Sequence, residues 1–294
     1  MQTRNSFATG ETGIAGAGRV LEICLWAARR CRQIGVMKGI PLDKLTAHLD
    51  HLLCAPALKD YDDAFNGLQC QNRSGRVTKI AAAVDASEFT INAAIRAKAD
   101  LLLAHHGLFW SKPRPWTGRH FQKLRALVEG NLAVYASHLP LDAHPKLGNN
   151  ILIARGLGLT RLEPFLEHHG APIGWRGRLP HPMSAEELAA RICRVVRVDG
   201  AVKTLPFGPA RLRTVGVCSG GAGSELKTAA SAGVDAYLTG EGGHAEFGDA
   251  EELGITVFFA GHYATETFGV RALAEHVARK FRLAWTFVDH PSGL

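Results

Sequence analysis

The feature that most constrains what this chain can fold into is an order of strand and helix patterns that occurs twice. Short apolar runs, typical of buried strands, alternate with amphipathic stretches, typical of helices. The first set of predicted elements is helix 42–53, strand 78–84, helix 87–98, strand 100–104, helix 119–129 and strand 132–136. The second set is strand 213–219, helix 224–232, strand 234–238, helix 246–253 and strand 255–260.

The strand patterns at the start of the two sets align at a constant distance. Ile80 and Val215 are 135 positions apart, and Asp100 and Asp235 are the same distance apart. Self-similarity at a fixed distance is the sequence signature of structural units that share one topology. We therefore expect two pseudo-equivalent α/β halves.

The ends of the two sets also align, here at a distance of 124 positions, which pairs His138 with His262. Four residues after each histidine stands a carboxylate, Asp142 in the first half and Glu266 in the second. Binding sites of α/β proteins lie at the carboxyl ends of the strands. The sequence therefore predicts an α/β fold of two pseudo-repeated lobes with mixed sheets that face a shared metal cleft.

The remaining segments suggest how the chain is divided. Residues 1–36, rich in Gly, Ala and Arg, are interpreted as a flexible extension or a misassigned start before Met37, although Arg-rich ends can also be transit peptides. The first α/β lobe is predicted to span 37–150 and the second 213–294. Residues 151–212, which contain many Gly and Pro, are predicted to form a connecting segment.

Composition excludes several classes of protein. An apolar fraction of 46% with 21% charged residues is typical of a globular chain, and no apolar stretch is long enough for a membrane span. The six cysteines form no C-x-x-C pair, so we expect a reduced, cytoplasmic protein. Residues 1–36 hold five Arg and two Glu, which supply +3 of the net charge of +7, so charge favours nucleic-acid binding only weakly.

Imidazole and carboxylate side chains concentrate directly after the predicted strands. His105 and His106 follow the run DLLLA, and with Asp142, His262 and Glu266 they offer three nitrogen and two carboxylate ligands. Such a set suits zinc, manganese, iron, cobalt or nickel. It exceeds the three protein ligands of an open catalytic zinc, and it suits two metal ions with a bridging carboxylate and water.

Other residues near these motifs leave alternatives open. His138 and His144 are candidates for substrate contact or for a position around the ligands, or else are hydrogen-bonded core histidines. His168 and His169 are expected to be solvated. The loop 219–224, rich in Gly and Ser, follows a predicted strand and could contact a phosphate or form a tight turn.

Cys218 directly precedes this loop, and a cysteine in such a position could act as a nucleophile. No neighbouring residue in the sequence offers the base or positive charge that would activate its thiol. We therefore expect Cys218 to be a small buried residue.

Several short motifs occur in a fixed order. They are Asn66-Gly67-Leu68-Gln69, Ala104-His105-His106-Gly107-Leu108-Phe109-Trp110, Ser137-His138-Leu139-Pro140-Leu141-Asp142-Ala143-His144, Leu147-Gly148-Asn149-Asn150, Thr239-Gly240-Glu241 and Gly261-His262-Tyr263-Ala264-Thr265-Glu266. In this combination the sequence resembles the GTP cyclohydrolase type 2-like family, also described as dinuclear metal centre hexameric proteins, over about residues 41–290. The resemblance implies a two-lobed α/β protomer, a toroidal homohexamer and a site for two divalent metal ions per subunit, with zinc, manganese or iron as candidates.

The resemblance also implies roles for individual residues. The implied metal ligands are His105, His106, Asp142, His262 and Glu266, with Glu266 as the bridge. His138, Glu241 and His244 are candidates for positions around these ligands. The family often has two adjacent histidines after its Thr-Gly-Glu motif, whereas this chain has only His244 there, which leaves the role of the missing histidine unfilled. Longer members insert an extra domain, for which residues 151–212 leave no room.

The leading functional hypothesis is a metal-dependent hydrolase. By resemblance its reaction would be like that of GTP cyclohydrolase, with hydrolytic opening of a purine imidazole ring or hydrolysis of another nucleotide-like small molecule. Two alternatives belong to other classes of protein: a non-catalytic metal-binding or regulatory protein, and a nucleic-acid-associated toroid.

Overall fold

The computed structural model describes residues 39–54, 58–61, 64–110, 114–198 and 201–294. The prefix 1–36, with the interpretations given for it, lies outside these residues. No helix within the described ranges combines the length and the hydrophobicity that crossing a membrane requires. The described chain is an α/β protein with mixed sheets, as the alternating sequence patterns predict.

Thirteen strands form three sheets within the described ranges. The strands before residue 150 are β1 (Ile40–Pro41), β2 (Gly67–Cys70), β3 (Arg76–Val77), β4 (Lys79–Asp85), β5 (Leu101–His106) and β6 (Ala133–Ala136). The later strands are β7 (Thr160–His168), β8 (Ala171–Met183), β9 (Lys203–Pro206), β10 (Leu212–Val217), β11 (Ala236–Thr239), β12 (Thr256–Phe259) and β13 (Ala284–Phe287).

The same ranges contain nine α-helices and one 3-10 helix, Ala222–Glu225. The α-helices are α1 (Leu42–Leu53), α2 (Glu88–Arg96), α3 (Gly118–Glu129), α4 (Leu139–Asp142), α5 (Asn149–Gly156), α6 (Ala185–Val196), α7 (Leu226–Ser231), α8 (Ala245–Leu253) and α9 (His262–Phe281). Helices α2 and α6 each begin with a capping box, in which Ser87 or Ser184 accepts a hydrogen bond from the backbone of the third helical residue.

The first large sheet has the strand order β13-β4-β5-β6-β2, in which only β2 runs antiparallel to its neighbour. Ile80 and Ala82 of β4 pack in one apolar cluster with α1 and α9, whereas Ala81 and Ala83 pack in another with α2 and α3. Because helices cover both faces, every residue of β5 and β6 is buried, which explains why these strands read as continuous apolar runs.

The second large sheet has the order β7-β8-β10-β11-β12-β9. Its three central strands β10, β11 and β12 are parallel, and the strands on both sides of them are antiparallel. Helices α5 and α6 pack in one apolar cluster with this sheet, and α7 and α8 pack in a second one. Strands β1 and β3 form a separate antiparallel pair.

The predicted repeat is present in the pairing of the parallel strands. Ile80 pairs with Leu101, and Val215 pairs with Ala236, so both partners are displaced by 135 positions. The repeat extends to polar contacts at the strand starts. The Asp100 carboxylate accepts hydrogen bonds from two successive backbone N–H groups at the start of β4, at 2.7 and 3.1 Å. Asp235 accepts the equivalent pair at the start of β10, at 2.7 and 2.9 Å.

At the third strand the structural alignment differs by one residue from the one expected from the sequence. Ala136 pairs with a residue of β5 and Phe259 with a residue of β11, and those two partners are 135 positions apart. Ala136 and Phe259 are therefore the equivalent ends of β6 and β12, and they are 123 positions apart rather than the expected 124. One more residue therefore lies between β12 and His262 than between β6 and His138. Gly261, which has a φ of +90°, turns the chain at this place into α9.

The two halves exchange elements. Residues 151–212, which the sequence patterns assign to a connecting segment, supply β7, β8 and β9 to the second sheet and also contain α6. The last helix and strand return to the first sheet, where α9 packs against β4 and β13 pairs with β4. Helix α9 therefore starts at the end of a strand of one sheet and packs against the other sheet.

Candidate metal centre

Strand ends from both sheets converge at one place. Strand β5 ends with His105 and His106, β6 is followed by α4 with Asp142 as its last residue, and α9 begins with His262 and carries Glu266 one turn later. The exposed fractions are 1% for His105, 5% for His106 and Asp142, and 3% for Glu266. His262 is half-buried. The fold thus brings together all five residues that the sequence analysis names as metal ligands.

Glu266 lies at the centre of this group. Its Oε1 is 3.2 Å from His262 Nε2 and 3.6 Å from His105 Nε2, and its Oε2 is 3.4 Å from His106 Nε2. Asp142 Oδ2 approaches from the other side, 3.4 Å from His105 Nε2. His262 and Glu266 meet because residues four apart lie on the same face of a helix.

Each histidine of the site is held by a hydrogen bond on its outer nitrogen. The Nδ1 atoms of His105, His106, His138 and His262 lie 3.0, 2.9, 2.9 and 2.9 Å from Ser137 O, Asp85 Oδ1, Asp60 Oδ1 and Glu241 Oε1, respectively. Carbonyl and carboxylate oxygens only accept, so each Nδ1 donates, and the neutral ring keeps its lone pair on Nε2. Metal-ligating histidines are oriented by such partners.

Three atoms at the centre are buried without a hydrogen-bond partner in the described structure: His105 Nε2, His106 Nε2 and Glu266 Oε2. Buried polar atoms without partners are costly, which points to a group that they would bind. There are two overlapping sets of candidate ligands, His105 with His106 and His138, and His106 with His262 and Glu266. Within each set, the ligand atoms all lie within 4.8 Å of one another. These buried His and Glu clusters are compatible with metal binding.

An amide and a hydroxyl side chain fix the Asp142 carboxylate on the other side of the site. Asp142 Oδ1 accepts hydrogen bonds from Asn149 Nδ2 at 2.8 Å and from Ser219 Oγ at 3.2 Å, which leaves Oδ2 facing His105. Asn149 Oδ1 in turn accepts from Gly269 N at 2.6 Å, so the amide also ties α5 to α9. These contacts connect the strand ends of both sheets around the candidate ligands.

The loop 219–224 is a tight turn beneath the site. The N–H groups of Ser219 and Gly220 donate to Asn150 Oδ1 and Thr265 Oγ1, at 2.6 and 3.0 Å, and are therefore not available to a phosphate. The first two N–H groups of the loop are therefore used within the turn. Cys218 is 3% exposed and burial raises the pKa of its thiol, which agrees with the expected role of a small buried residue.

The remaining histidine and glutamate candidates occupy different environments. Glu241 bonds His262, and the His138 ring lies 4.9 Å from the His105 ring, so both are adjacent to the cluster. His244 is exposed at the start of α8. His144 accepts hydrogen bonds from two backbone N–H groups of the following turn, both at 3.1 Å. The expectation that His168 is solvated is wrong, because it is half-buried and lines the cleft beside the cluster.

Two of the histidines are oriented by carboxylates that the sequence patterns do not identify. Asp85 ends strand β4, so the rule that sites lie at strand ends could have found it. Asp60 precedes the motif 66–69 in an irregular segment and carries no such signal. Its Oδ2 also accepts from Asn66 Nδ2 at 2.8 Å, which gives that motif a structural reason.

Burial and charge oppose each other at the centre. Burial lowers the pKa of His105, but the charges of Asp142 and Glu266 outweigh it and raise that pKa well above its usual range. Burial raises the pKa of Glu266, but the charges of His105 and His106 hold it well below its usual range. Burial lowers the pKa of His106. In the absence of metal, the carboxylates therefore hold protons on part of the histidine set.

Metal binding near pH 7 is expected to release protons. Burial lowers the pKa of His262, but Glu266 and Glu241 outweigh it and raise the pKa to about 9, so the metal-free ring is protonated at neutral pH. Since a metal ion binds only the neutral ring, the apparent affinity should rise with pH and level off above about 9. Calorimetry in buffers of different ionisation enthalpy should give about one or more protons released per chain at pH 7. If the number of protons released per chain does not fall at higher pH, this expectation is contradicted.

Comparisons with known proteins agree with the fold. The model of the Duf34/NIF3 (NGG1p interacting factor 3) family matches residues 40–292. A protein of Deinococcus radiodurans named "GTP cyclohydrolase 1 type 2 homolog" is 44% identical over 234 residues, which cover 79% of this chain and 88% of that protein.

Solved structures agree as well. The match to the structure of TTHA1606 from Thermus thermophilus has a TM-score of 0.79 at 38% identity. It covers 87% of this chain and 100% of the TTHA1606 chain. The match to the structure of protein ybgI has a TM-score of 0.80 at 35% identity, with the same two coverages, 87% and 100%. The matched residues include both sheets and every residue of the His and Glu clusters, and the chain therefore belongs to the Duf34/NIF3 family.

Proposed function

We propose that the protein is a hydrolase that uses two divalent metal ions held by His105, His106, Asp142, His262 and Glu266. The observation that carries this proposal is the position of Glu266 in a buried cluster open to a cleft, with Oε1 facing His105 and His262 and Oε2 facing His106. A carboxylate whose two oxygens face different ligand atoms is the arrangement expected for two ions with a common carboxylate. The mixture of imidazole and carboxylate favours zinc, manganese or iron.

The chemistry is divided between the ions and the side chains around them. Divalent ions bound here would supply Lewis-acid chemistry, which makes water a nucleophile at neutral pH. The protein itself would orient the reacting groups, because Asp60, Asp85 and Glu241 fix the imidazole rings through their Nδ1 atoms. His138, held by Asp60 at 2.9 Å and bordering the cleft, is the side chain that we assign to proton transfer with the substrate.

The substrate class is proposed from the relatives. Several are named "GTP cyclohydrolase 1 type 2 homolog", which suggests hydrolysis of a purine ring or of a nucleotide-like molecule. Trp110 and Tyr61 border the cleft beside the cluster, and aromatic side chains are suitable partners for a planar ring.

We also propose that the chain assembles with itself, as a homohexamer. Phe65 and Leu68, at the edge strand β2 of the first sheet, are 57% and 41% exposed in the single chain. Exposed apolar side chains beside an unpaired strand edge favour an interface. Light scattering of the full chain measures the mass of the assembly directly, and a monomer would contradict this part of the proposal.

Metal content and hydrolysis together test the proposed function. Elemental analysis of protein purified without chelator is expected to give two divalent ions per chain. Hydrolysis of the purine ring, assayed with nucleosides as well as nucleotides, should disappear with chelator and with His105→Ala, because this substitution removes a buried candidate ligand. The matched control is His181→Ala, which changes an exposed histidine of β8 and should leave both properties intact.

The other outcomes distinguish the alternatives. One ion or none after reconstitution with zinc, manganese and iron would reject the dinuclear site. Tight metal binding without turnover would reject the hydrolase and favour a metal-binding or regulatory protein. Salt-sensitive binding of DNA or RNA without turnover would instead favour a nucleic-acid-associated assembly.

A further inference from the structure

The cleft beside the candidate metal centre is small and is bordered by planar side chains. Its volume is about 190 Å³. The Trp110 ring stacks on His106, with centroids 4.3 Å apart and planes 18° apart, and it also meets the His138 ring at 4.4 Å. The Tyr61 ring lies 5.8 Å from His138 and 5.1 Å from His168. A cavity of this size with aromatic borders suits one flat ring system better than an extended chain.

The charge of the cleft lining is negative. Glu167 and Glu225 border the cleft, in addition to Asp142 and Glu266 of the candidate metal centre. Among the described residues that line the cleft there is no lysine and no arginine. Sites that bind phosphate chains commonly supply Arg or Lys side chains, or backbone N–H groups at the start of a helix.

The described lining lacks the first of these sources, because it contains no Arg or Lys side chain. The N–H groups of Ser219 and Gly220, at the turn that borders the cleft, donate to protein side chains. The four carboxylates of the lining would neutralise the charge of two divalent ions, so no net positive charge would remain to bind a triphosphate. Glu167 and Glu225 would then repel added phosphates at the rim.

We propose that the cleft binds a planar, nitrogen-containing ring that carries no polyphosphate, as in a nucleobase or nucleoside, and that Glu167 and Glu225 determine this specificity by excluding anions. The inference rests on the proposed function, because it names the substrate class of the same site. The ring would lie beside Trp110 and Tyr61, with the bond to be hydrolysed facing the metal ligands. Uncharged or cationic substituents would be tolerated where phosphates are not.

Inosine and inosine triphosphate provide a matched pair of probes, because they share one ring and one sugar. Calorimetric titration of the full chain is expected to show that inosine binds at least about tenfold more tightly than inosine triphosphate. The comparison is made with the metal-free and with the zinc-loaded protein, with the zinc content determined again after each titration. The metal-free arm excludes chelation of the ion by the triphosphate.

A double substitution tests the two rim carboxylates. Glu167→Gln with Glu225→Gln should reduce the preference for inosine by about tenfold and leave inosine binding and zinc content unchanged. The matched control, Glu251→Gln with Glu252→Gln, makes the same charge change on exposed residues of α8 and should leave the preference intact.

The outcomes separate this inference from the proposed function. Equal or tighter binding of the triphosphate in the metal-free protein, an unchanged preference in the rim variant, or no binding of inosine would each overturn the inference. None of these results depends on turnover or on zinc stoichiometry, which test the hydrolase separately. A protein that binds inosine selectively but fails to bind two ions would keep the inference about the ring and reject the dinuclear hydrolase.

Discussion

Replacing Gly220 by alanine is expected to weaken metal binding at least about tenfold, comparable to the loss of a group that orients a ligand. Gly220 has a φ of +69°, and a Cβ at this position would overlap Glu266 Oε1 and lie 3.4 Å from His262 Nε2. Its backbone cannot move away easily, because its carbonyl accepts hydrogen bonds from Gly240 N and Glu241 N at 2.9 and 3.0 Å. The central carboxylate would therefore have to move. Zinc titration with a competing chelator measures the loss.

Gly233→Ala is the matched control. Gly233 has a similar φ of +74°, but no heavy atom lies within 4 Å of the position that its Cβ would take. Both substitutions should therefore cost the left-handed backbone penalty of about 1 kcal/mol, seen as a fall in melting temperature of about 2–4 °C. Only Gly220→Ala should lose metal. If both variants bind zinc equally, the turn does not position Glu266.

The candidate ligands could be predicted because the ends of the strands are easy to recognise in this sequence. His105 and His106 end a run of apolar residues that is buried on both faces, and such runs stand out without any alignment. Asp142 and Glu266 were found through their spacing to histidines in the two halves. The physical basis is that parallel strands place their carboxyl ends at one edge of a sheet, so residues distant in sequence meet there.

The groups that orient the ligands were harder to predict. Asp60 is 78 positions from the His138 ring that it holds, and nothing in its neighbourhood distinguishes it from a solvated aspartate. The position of His168 was missed for a similar reason. Its segment is half exposed and has no clear period, so the cleft that it borders exists only once the second sheet has formed.

The strands of the segment 151–212 were missed because their side chains do not follow the usual strand pattern. Strand β8 contains Pro172, Pro180 and Pro182, and glycine and arginine residues interrupt its apolar pattern, a composition that ordinarily argues against a sheet interior. It pairs on both sides nevertheless, and its register with β10 shifts between Leu212 and Thr214. Tertiary pairing therefore overrides local propensity in this segment.

Glu266→Gln is expected to lose more metal affinity than Asp142→Asn, by about tenfold or more. The Glu266 carboxylate faces His105, His106 and His262 within 3.2 to 3.6 Å, and both of its oxygens point into the cluster. Asp142 uses one oxygen for Asn149 and Ser219 and presents only the other to His105. Neutralising Glu266 should therefore weaken both proposed ion sites, whereas neutralising Asp142 should mainly weaken one. Zinc titration of each variant, followed by elemental analysis, decides the order.

The control for both changes is Glu275→Gln, an exposed position on the same helix as Glu266, which should bind as many ions as the unaltered chain. Thermal unfolding of the metal-free variants separates folding from ligation, because a variant that melts normally but binds poorly has lost a ligand rather than its fold. Removing the central carboxylate also removes one of the two charges, with Glu241, that raise the pKa of His262 to about 9, so this variant should release fewer protons when it binds zinc. Equal losses of affinity in Glu266→Gln and Asp142→Asn would mean that Glu266 is a terminal ligand or that the two ions bind only as a unit.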